Sequence, residues 1–271
     1  ESLDIFAEAF PRLKSDQNAR DMFTMLLAIT SDGQKIMQNF KLAAQAYQHW
    51  EKTGRVPDKL PALRTASIIS NLANLNNMLI EHGGDVAKMQ ETLLQVHPVR
   101  EINKELRRRG MSNMSWPADF KVPVASGILG PKLGMYFANL SGMENYPTLD
   151  RWWSRMFNRY RGTLIPEITK GLDEQGNAMG IDRLRELMGN PEMTDEEVIN
   201  AAISFRNTYA AKGFKNGTEI EKAANTIYKA AFESLNDAPF NTSDRGFMFR
   251  TLKRAVKNIN RQGYDFTIAD A

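Results

Sequence analysis

Ser126-Gly127-Ile128-Leu129-Gly130-Pro131-Lys132 is the stretch on which the reading of this chain turns. A glycine-bounded turn here opens onto a helix. Pro131 suits the first helical position, where its missing N–H costs nothing, and Leu133, Met135, Tyr136 and Leu140 recur at spacings that face a core. The first amides of a helix have no internal partner and the helix dipole favours an anion there, so Gly127 and Gly130 frame a place where a phosphate could be received. Helical patterning stands on both sides of the turn. That excludes a Walker loop and a dinucleotide fingerprint, both of which need a strand before the turn. A hairpin between helices remains.

Outward from this turn, apolar residues recur at helical spacing almost everywhere, and alternating runs of Val, Ile and Thr are missing. The fold class is therefore all-α. A helix is predicted from near Ala19 through Leu27, interrupted by Ser31-Asp32-Gly33, and a second runs from Ile36 to about Lys52, closed by Gly54. Further helices are predicted over Thr65 to Ile80, Val86 to Gln95 and Pro98 to Arg109, with an irregular segment from Met111 to Ala125. After the helix Pro131 to Leu140, Thr148 reads as the N-cap of a helix from Leu149 to Arg161 that sets Arg151, Arg155 and Arg159 on one face. A capping box at Thr194 to Glu197 and helices near Ile181 to Leu187, Glu196 to Ala211, Glu219 to Leu235 and Ser243 to Arg261 complete the chain. The expected organisation is one compact unit over residues 1–271 or two helical lobes, with the hairpin and its following helix at 126–161 and a C-terminal helical part at 180–271.

Composition narrows the chemistry. The 271 residues are 42% hydrophobic and 25% charged, enough for a core and incompatible with disorder. Mean hydropathy is -0.45 and no apolar stretch approaches the length of a spanning helix, so no membrane partner is expected. With no Cys there can be no disulfide, thiolate zinc site, iron–sulfur cluster or cysteine nucleophile. His49, His82 and His97 lie far apart and outside any ligand pattern, which leaves a histidine metal centre or a Ser-His-Asp triad little material. No cofactor or metal is called for. The net charge of +3 is unevenly spread: Arg100 to Arg161 holds 11 Lys and Arg against 5 acids, so that segment carries +6 and the remainder -3. Placed beside Trp116, Trp152, Trp153 and Tyr160, this positive region suits a phosphate backbone, although basic residues at helical spacing are also what a solvated face requires.

Lys132 stands two residues beyond Gly130, and Asp150 follows 18 residues later in the sequence Pro147-Thr148-Leu149-Asp150-Arg151-Trp152-Trp153. On these residues the stretch from Gly127 to Arg161 resembles the helix–hairpin–helix DNA glycosylases, above all their 8-oxoguanine glycosylase and abasic-site lyase branch. In that superfamily a Gly-x-Lys ends the hairpin and a Leu-Asp or Val-Asp follows at about this distance. The resemblance implies a helical glycosylase-like bundle, Lys132 as amine nucleophile and Asp150 as the carboxylate beside it. A looser similarity extends back to Met22 and includes Ile29-Thr30-Ser31-Asp32-Gly33-Gln34, where the family approaches DNA with a polar turn; it implies Gln34 as a strand-facing contact. Ile128 and Leu129 stand between the glycines where the family has one residue. The C-terminal hundred residues carry no such likeness, and the absence of Cys agrees with branches that lack an iron–sulfur cluster.

The chemistry so implied is coherent. A Lys amine attacks an anomeric carbon only when unprotonated, and lowering its pKa from near 10.4 to about 7 or 8 takes about 3 to 4 kcal/mol, which burial can supply. An anion beside the lysine opposes that change. Reaching a glycosidic bond in duplex DNA demands extrusion of the nucleotide, with backbone contacts and a stacking wall to stabilise the open state. The hairpin and Arg151, Arg155 and Arg159 are candidates for the contacts, and Trp116, Trp152, Phe157 and Phe266 for the wall, the competing reading of each aromatic being core. His97, Arg107, Arg108 and Arg109 read as helix-end residues, and the 14 Met as core filling.

The leading expectation is thus a DNA glycosylase and abasic-site lyase acting on double-stranded DNA, with an 8-oxoguanine-like purine as the first substrate. It is expected to be a monomer or part of a larger polypeptide, cytoplasmic and nucleoid-associated, in a cell or a phage. The alternative is a catalytically silent DNA-binding module of a larger phage or mobile-element protein, in which Lys132 is dispensable. A helical protein-interaction domain with coincidental spacing is the third.

Overall fold

A computed structural model describes residues 8–61, 65–164, 168, 170–171, 173, 175–236, 238–239 and 241–269. The two ends of the expected single unit, 1–7 and 270–271, lie outside the described residues. The chain is mostly helical, as its periodicity predicts, and it divides into two units: Glu1–Leu149 with Asn241–Ala271, and Asp150–Phe240. The division falls inside the expected 126–161 segment, and the last helix belongs with the first unit instead of with a C-terminal lobe.

In the first unit, α1 (Arg12–Ser15) leads into α2 (Gln17–Thr30), α3 (Ile36–Thr53), α4 (Thr65–Glu81) and α5 (Val86–Leu94). α2 starts where the Asp16 carboxylate accepts the Ala19 N–H, and eight of its apolar side chains from Ala19 to Ile29 are buried. It therefore serves as the central helix, with α3, α4, α5 and the later α8 (Pro131–Leu140) packed around it. Tyr47 of α3 sits edge-on to Phe10 and Phe23, with ring centroids at 5.4 and 5.7 Å. Gly54 ends α3 at a φ of 73°, a conformation only glycine adopts without strain, and returns its N–H to the Trp50 carbonyl.

The sequence did not disclose a short antiparallel ribbon, β1 (Val96–Pro98) with β2 (Lys121–Pro123), which pairs His97 with Val122. Strands of three residues ending in Pro are too short to show an alternation. Between them lies α6 (Val99–Arg108), and after β2 the four-residue α7 (Ala125–Ile128) turns through Leu129 and Gly130 into α8. The unit closes with α13 (Thr242–Asn260), whose Phe249 packs on Trp116 and Phe120 with centroids at 5.8 and 5.6 Å.

The second unit contains α9 (Arg151–Tyr160), α10 (Gly180–Leu187), α11 (Asp195–Ala211) and α12 (Glu219–Tyr228), which runs on into a π-helical turn at Lys229–Glu233. Ile181, Leu184, Val198, Ala202, Ala224 and Ile227 form its core. The capping box expected at Thr194 and Glu197 is present, and an equivalent one joins Thr218 to Glu221. The helix expected from Leu149 begins later: Asp150, not Thr148, is its N-cap, because the Asp150 carboxylate accepts the Trp153 N–H while the Thr148 hydroxyl accepts the Asn139 side-chain amide. Among the described residues no helix is long and apolar enough to cross a membrane.

Candidate functional site

The hairpin is built by packing as much as by turn chemistry. Gly130 has a φ of 89° and open space where a Cβ would stand, so it is the residue that turns the chain into α8. Pro131 takes the first helical position as expected, and no side chain caps the helix start. The Asn74 side-chain amide donates to the Ile128 carbonyl at 2.9 Å and fixes the approach to the turn.

Gly127 has a different job from the one expected. Its N–H already donates to the Val124 carbonyl at 2.9 Å, so that amide is not open to a phosphate. A Cβ at Gly127 would lie 2.5 Å from Ile102 Cγ2 and 3.2 Å from Leu106 Cδ1, which makes this glycine the seat of α7 against α6. Gly134, which the sequence reading passed over, allows a still closer approach: its Cβ would stand 2.2 Å from the Ala125 carbonyl oxygen. A glycine inside a ten-residue helix was the available signal.

This packing places Lys132 on the first turn of α8, against the C-terminal end of α2. Lys132 Nζ lies 4.0 Å from Asp32 Oδ1, the lysine side chain being 39% and the aspartate side chain 11% exposed. The turn that holds Asp32 is stiffened from both sides. The Thr30 hydroxyl lies 2.6 Å from Asn39 Oδ1, the Ser31 hydroxyl donates to the Ala28 carbonyl at 2.7 Å, and the Gln34 N–H donates to Ser31. Gln34 itself folds back, its side-chain amide 3.4 Å from the Asp32 carbonyl and its Oε1 buried without a hydrogen bond, instead of standing out as a strand contact. Four and five residues on from Asp32, Ile36 and Met37 hold their side chains in solvent.

The structure thus brings together the two polar turns that the sequence analysis singled out separately, Ser31 to Gln34 and Gly130 to Lys132. It supplies Lys132 with a carboxylate that had no assigned role. Asp150, the expected partner, belongs to the second unit and has Oδ1 engaged with the Trp153 N–H at 2.8 Å. The three arginines of α9 also belong to that unit; Arg151 and Arg159 are exposed, and the Arg155 guanidinium packs 5.2 Å over the ring of Trp152. Trp152 is 72% exposed.

Of the other aromatic candidates, Trp116 is 3% exposed and belongs to the core of the first unit, wedged between Phe120 and Phe249 with Arg245 over its ring. An aromatic so enclosed cannot serve as an open stacking wall. Phe266 is 41% exposed and lines a groove beside α13. His97 meets Glu101 at 3.3 Å. Arg108 and Arg109 both hold Glu105, whose carboxyl is lowered to about 2 chiefly by the Arg108 hydrogen bonds, while Arg109 also reaches Glu81. These arginines are engaged in structure. Among the described residues, no cluster of three or more His, Asp or Glu side chains could hold a metal ion.

No family model, curated protein or solved structure matches the chain.

Proposed function

We propose that this chain is a DNA glycosylase and abasic-site lyase of the helix–hairpin–helix kind, which removes a damaged or modified base from double-stranded DNA through a Schiff base on Lys132, an 8-oxoguanine-like purine being the first substrate to test. The observation that carries the reading is the placement of Lys132: a half-exposed amine on the first turn of α8, presented by the Gly130 turn, 4.0 Å from a largely buried carboxylate. In this scheme Lys132 Nζ attacks C1′ and the base departs with the electrons of the glycosidic bond. Opening of the sugar ring then yields the Schiff base from which the strand can be cut. Asp32 is positioned to take a proton from Nζ as the bond forms and to balance positive charge at the sugar. The resemblance also implies Asp150 as a carboxylate that acts at the sugar. In the first unit the uncapped amides of α8 supply backbone contacts, and Ile36 and Met37 offer exposed apolar surface for the extruded state. In the second unit Arg151, Arg159 and Trp152 are exposed.

A silent DNA-binding module of a larger phage or mobile-element protein is the second reading. The same ion pair favours it, since a lysine beside Asp32 can grip phosphate without reacting. Borohydride trapping decides between the two, using duplexes that carry 8-oxoguanine, uracil, an abasic site or no lesion. A covalent complex lost in Lys132→Gln, with DNA binding retained, supports the enzyme. Trapping that survives Lys132→Gln removes this lysine from the mechanism, and binding with no adduct on any duplex moves the assignment to the silent module.

A further inference from the structure

The C-terminal helix carries a second basic surface, independent of the lysine chemistry above. Lys253, Lys257 and Arg261 recur every four residues along and just beyond α13, and all three are exposed. They line an open groove of about 720 Å³ in the first unit, whose one acidic lining residue is Glu144. Among the described residues, none of the three has a carboxylate within ion-pair distance, although Lys253 Nζ rests 4.6 Å over the Phe249 ring. Successive cations at this spacing are about 6 Å apart along the helix axis, which is of the order of the phosphate step in an extended strand.

Beside them stand two aromatic rings. Tyr264 is 60% exposed, and it meets Phe266 edge to face at 6.4 Å. Phe266 is not a loose tail residue: Asn260 of α13 clamps its backbone in both directions, donating from Nδ2 to the Phe266 carbonyl at 2.8 Å and accepting the Phe266 N–H at 2.9 Å. Asp265 lies between the rings in sequence and is exposed. A row of unpaired cations alongside ordered, exposed aromatic rings is the combination that tracks a phosphate backbone while stacking its bases. A bare polyanion would need only the cations, and a duplex presents no free base face.

We propose that this groove binds single-stranded DNA, with Lys253, Lys257 and Arg261 on the phosphates and Phe266, flanked by Tyr264, under the bases. The test is fluorescence anisotropy of the whole chain with a labelled oligothymidylate of about 15 nucleotides. Inorganic polyphosphate of equal charge, which carries phosphates without bases, and the corresponding duplex serve as competitors. The expected result is binding whose logarithm falls with the logarithm of salt at a slope of about -2 for three contacts. Phe266→Ala should weaken it on the order of tenfold without changing the slope, and Lys257→Ala should reduce the slope by about 0.7. The Lys253→Glu, Lys257→Glu double variant, altered only at exposed positions, should lose binding. Unchanged affinity in that double variant overturns the proposal, as does equal competition by polyphosphate. The Lys253→Glu, Lys257→Glu variant is expected to give the same borohydride adduct on lesion duplexes as the parent chain, so failure of the Schiff-base reading and failure of this one are seen separately.

Discussion

Replacing Gly134 by Ala sets two opposed effects against each other, and the structure decides the sign. Alanine is the better helix former by about 1 kcal/mol, so on propensity alone the change stabilises α8. The added Cβ, however, would stand 2.2 Å from the Ala125 carbonyl oxygen and 2.4 Å from Ser126 Cα. Both distances are more than an ångström short of ordinary contact, which begins at about 3.5 Å. Overpacking costs about 1 to 3 kcal/mol, and the upper end applies because both obstacles are main chain and neither can rotate away. The net expectation is a loss of about 2 kcal/mol, a fall of about 4 to 8 °C in the melting midpoint for a unit of this size. Thermal melts followed by circular dichroism, with urea titrations beside them, measure it. Gly127→Ala is the comparison, since its nearest obstacle is the Ile102 side chain, which can yield, and its loss should be smaller. A Gly134→Ala protein as stable as the parent, or more stable, would refute the close seating of α7 on α8 and with it the placement of Lys132.

Further expectations follow from the same geometry. Asp32→Asn keeps the shape of the side chain and removes its charge; it should slow trapping by about a hundredfold or more, and an unchanged rate would remove Asp32 from the reaction. Asp150 separates capping from catalysis: Asn caps a helix as well as Asp, so Asp150→Asn should fold normally and lose activity if the charge matters, whereas Asp150→Ala should also cost about 1 kcal/mol of stability, both read by urea titration beside trapping. Because Glu105 has its folded carboxyl lowered to about 2, its contribution is complete above the unfolded value near 4.5 and is lost as pH falls toward 2; urea midpoints against pH should show this acid loss, and Glu105→Gln should flatten it. Tyr47 behaves in the opposite sense: burial raises it to about 12, so its contribution holds below pH 10 and disappears as pH climbs from 10 to 12, a loss that Tyr47→Phe should abolish.

The helices were legible because their signals are local. Gly54 and the Thr194 to Glu197 box each act within one turn, and each ends or starts a helix where the sequence places it. What was illegible depends on distant partners. Thr148 and Asp150 are both competent caps, and the choice between them was made by Asn139, nine residues before Thr148, which engages the threonine hydroxyl. The return of α13 to the first unit rests on Phe249 meeting Trp116 and Phe120 across more than a hundred residues, a contact that no periodicity announces. The same contact turned Trp116 from a stacking candidate into core.

The carboxylate of the site follows this logic, and it changes which aspartate is the more informative. Capping alone is sufficient reason for an aspartate at position 150, since Ser, Thr or Asn would serve that helix start equally, and its spacing from Lys132 therefore carries less weight than it did in the sequence. Asp32 is the aspartate that meets the lysine across the fold. A carboxylate buried at the end of an apolar helix is costly unless charged or polar groups compensate it, and α2 meets α8 so that Lys132, a hundred residues later, brings its amine to that place. If the pair were only a structural brace, an uncharged pair of similar shape would serve it, and Asp32→Asn with Lys132→Gln together should then recover most of the stability that either change loses alone. If the pair is chemical, the double variant recovers stability and still forms no adduct. An adduct formed by the parent chain and lost in a double variant that is still folded is what separates a reactive lysine from a brace.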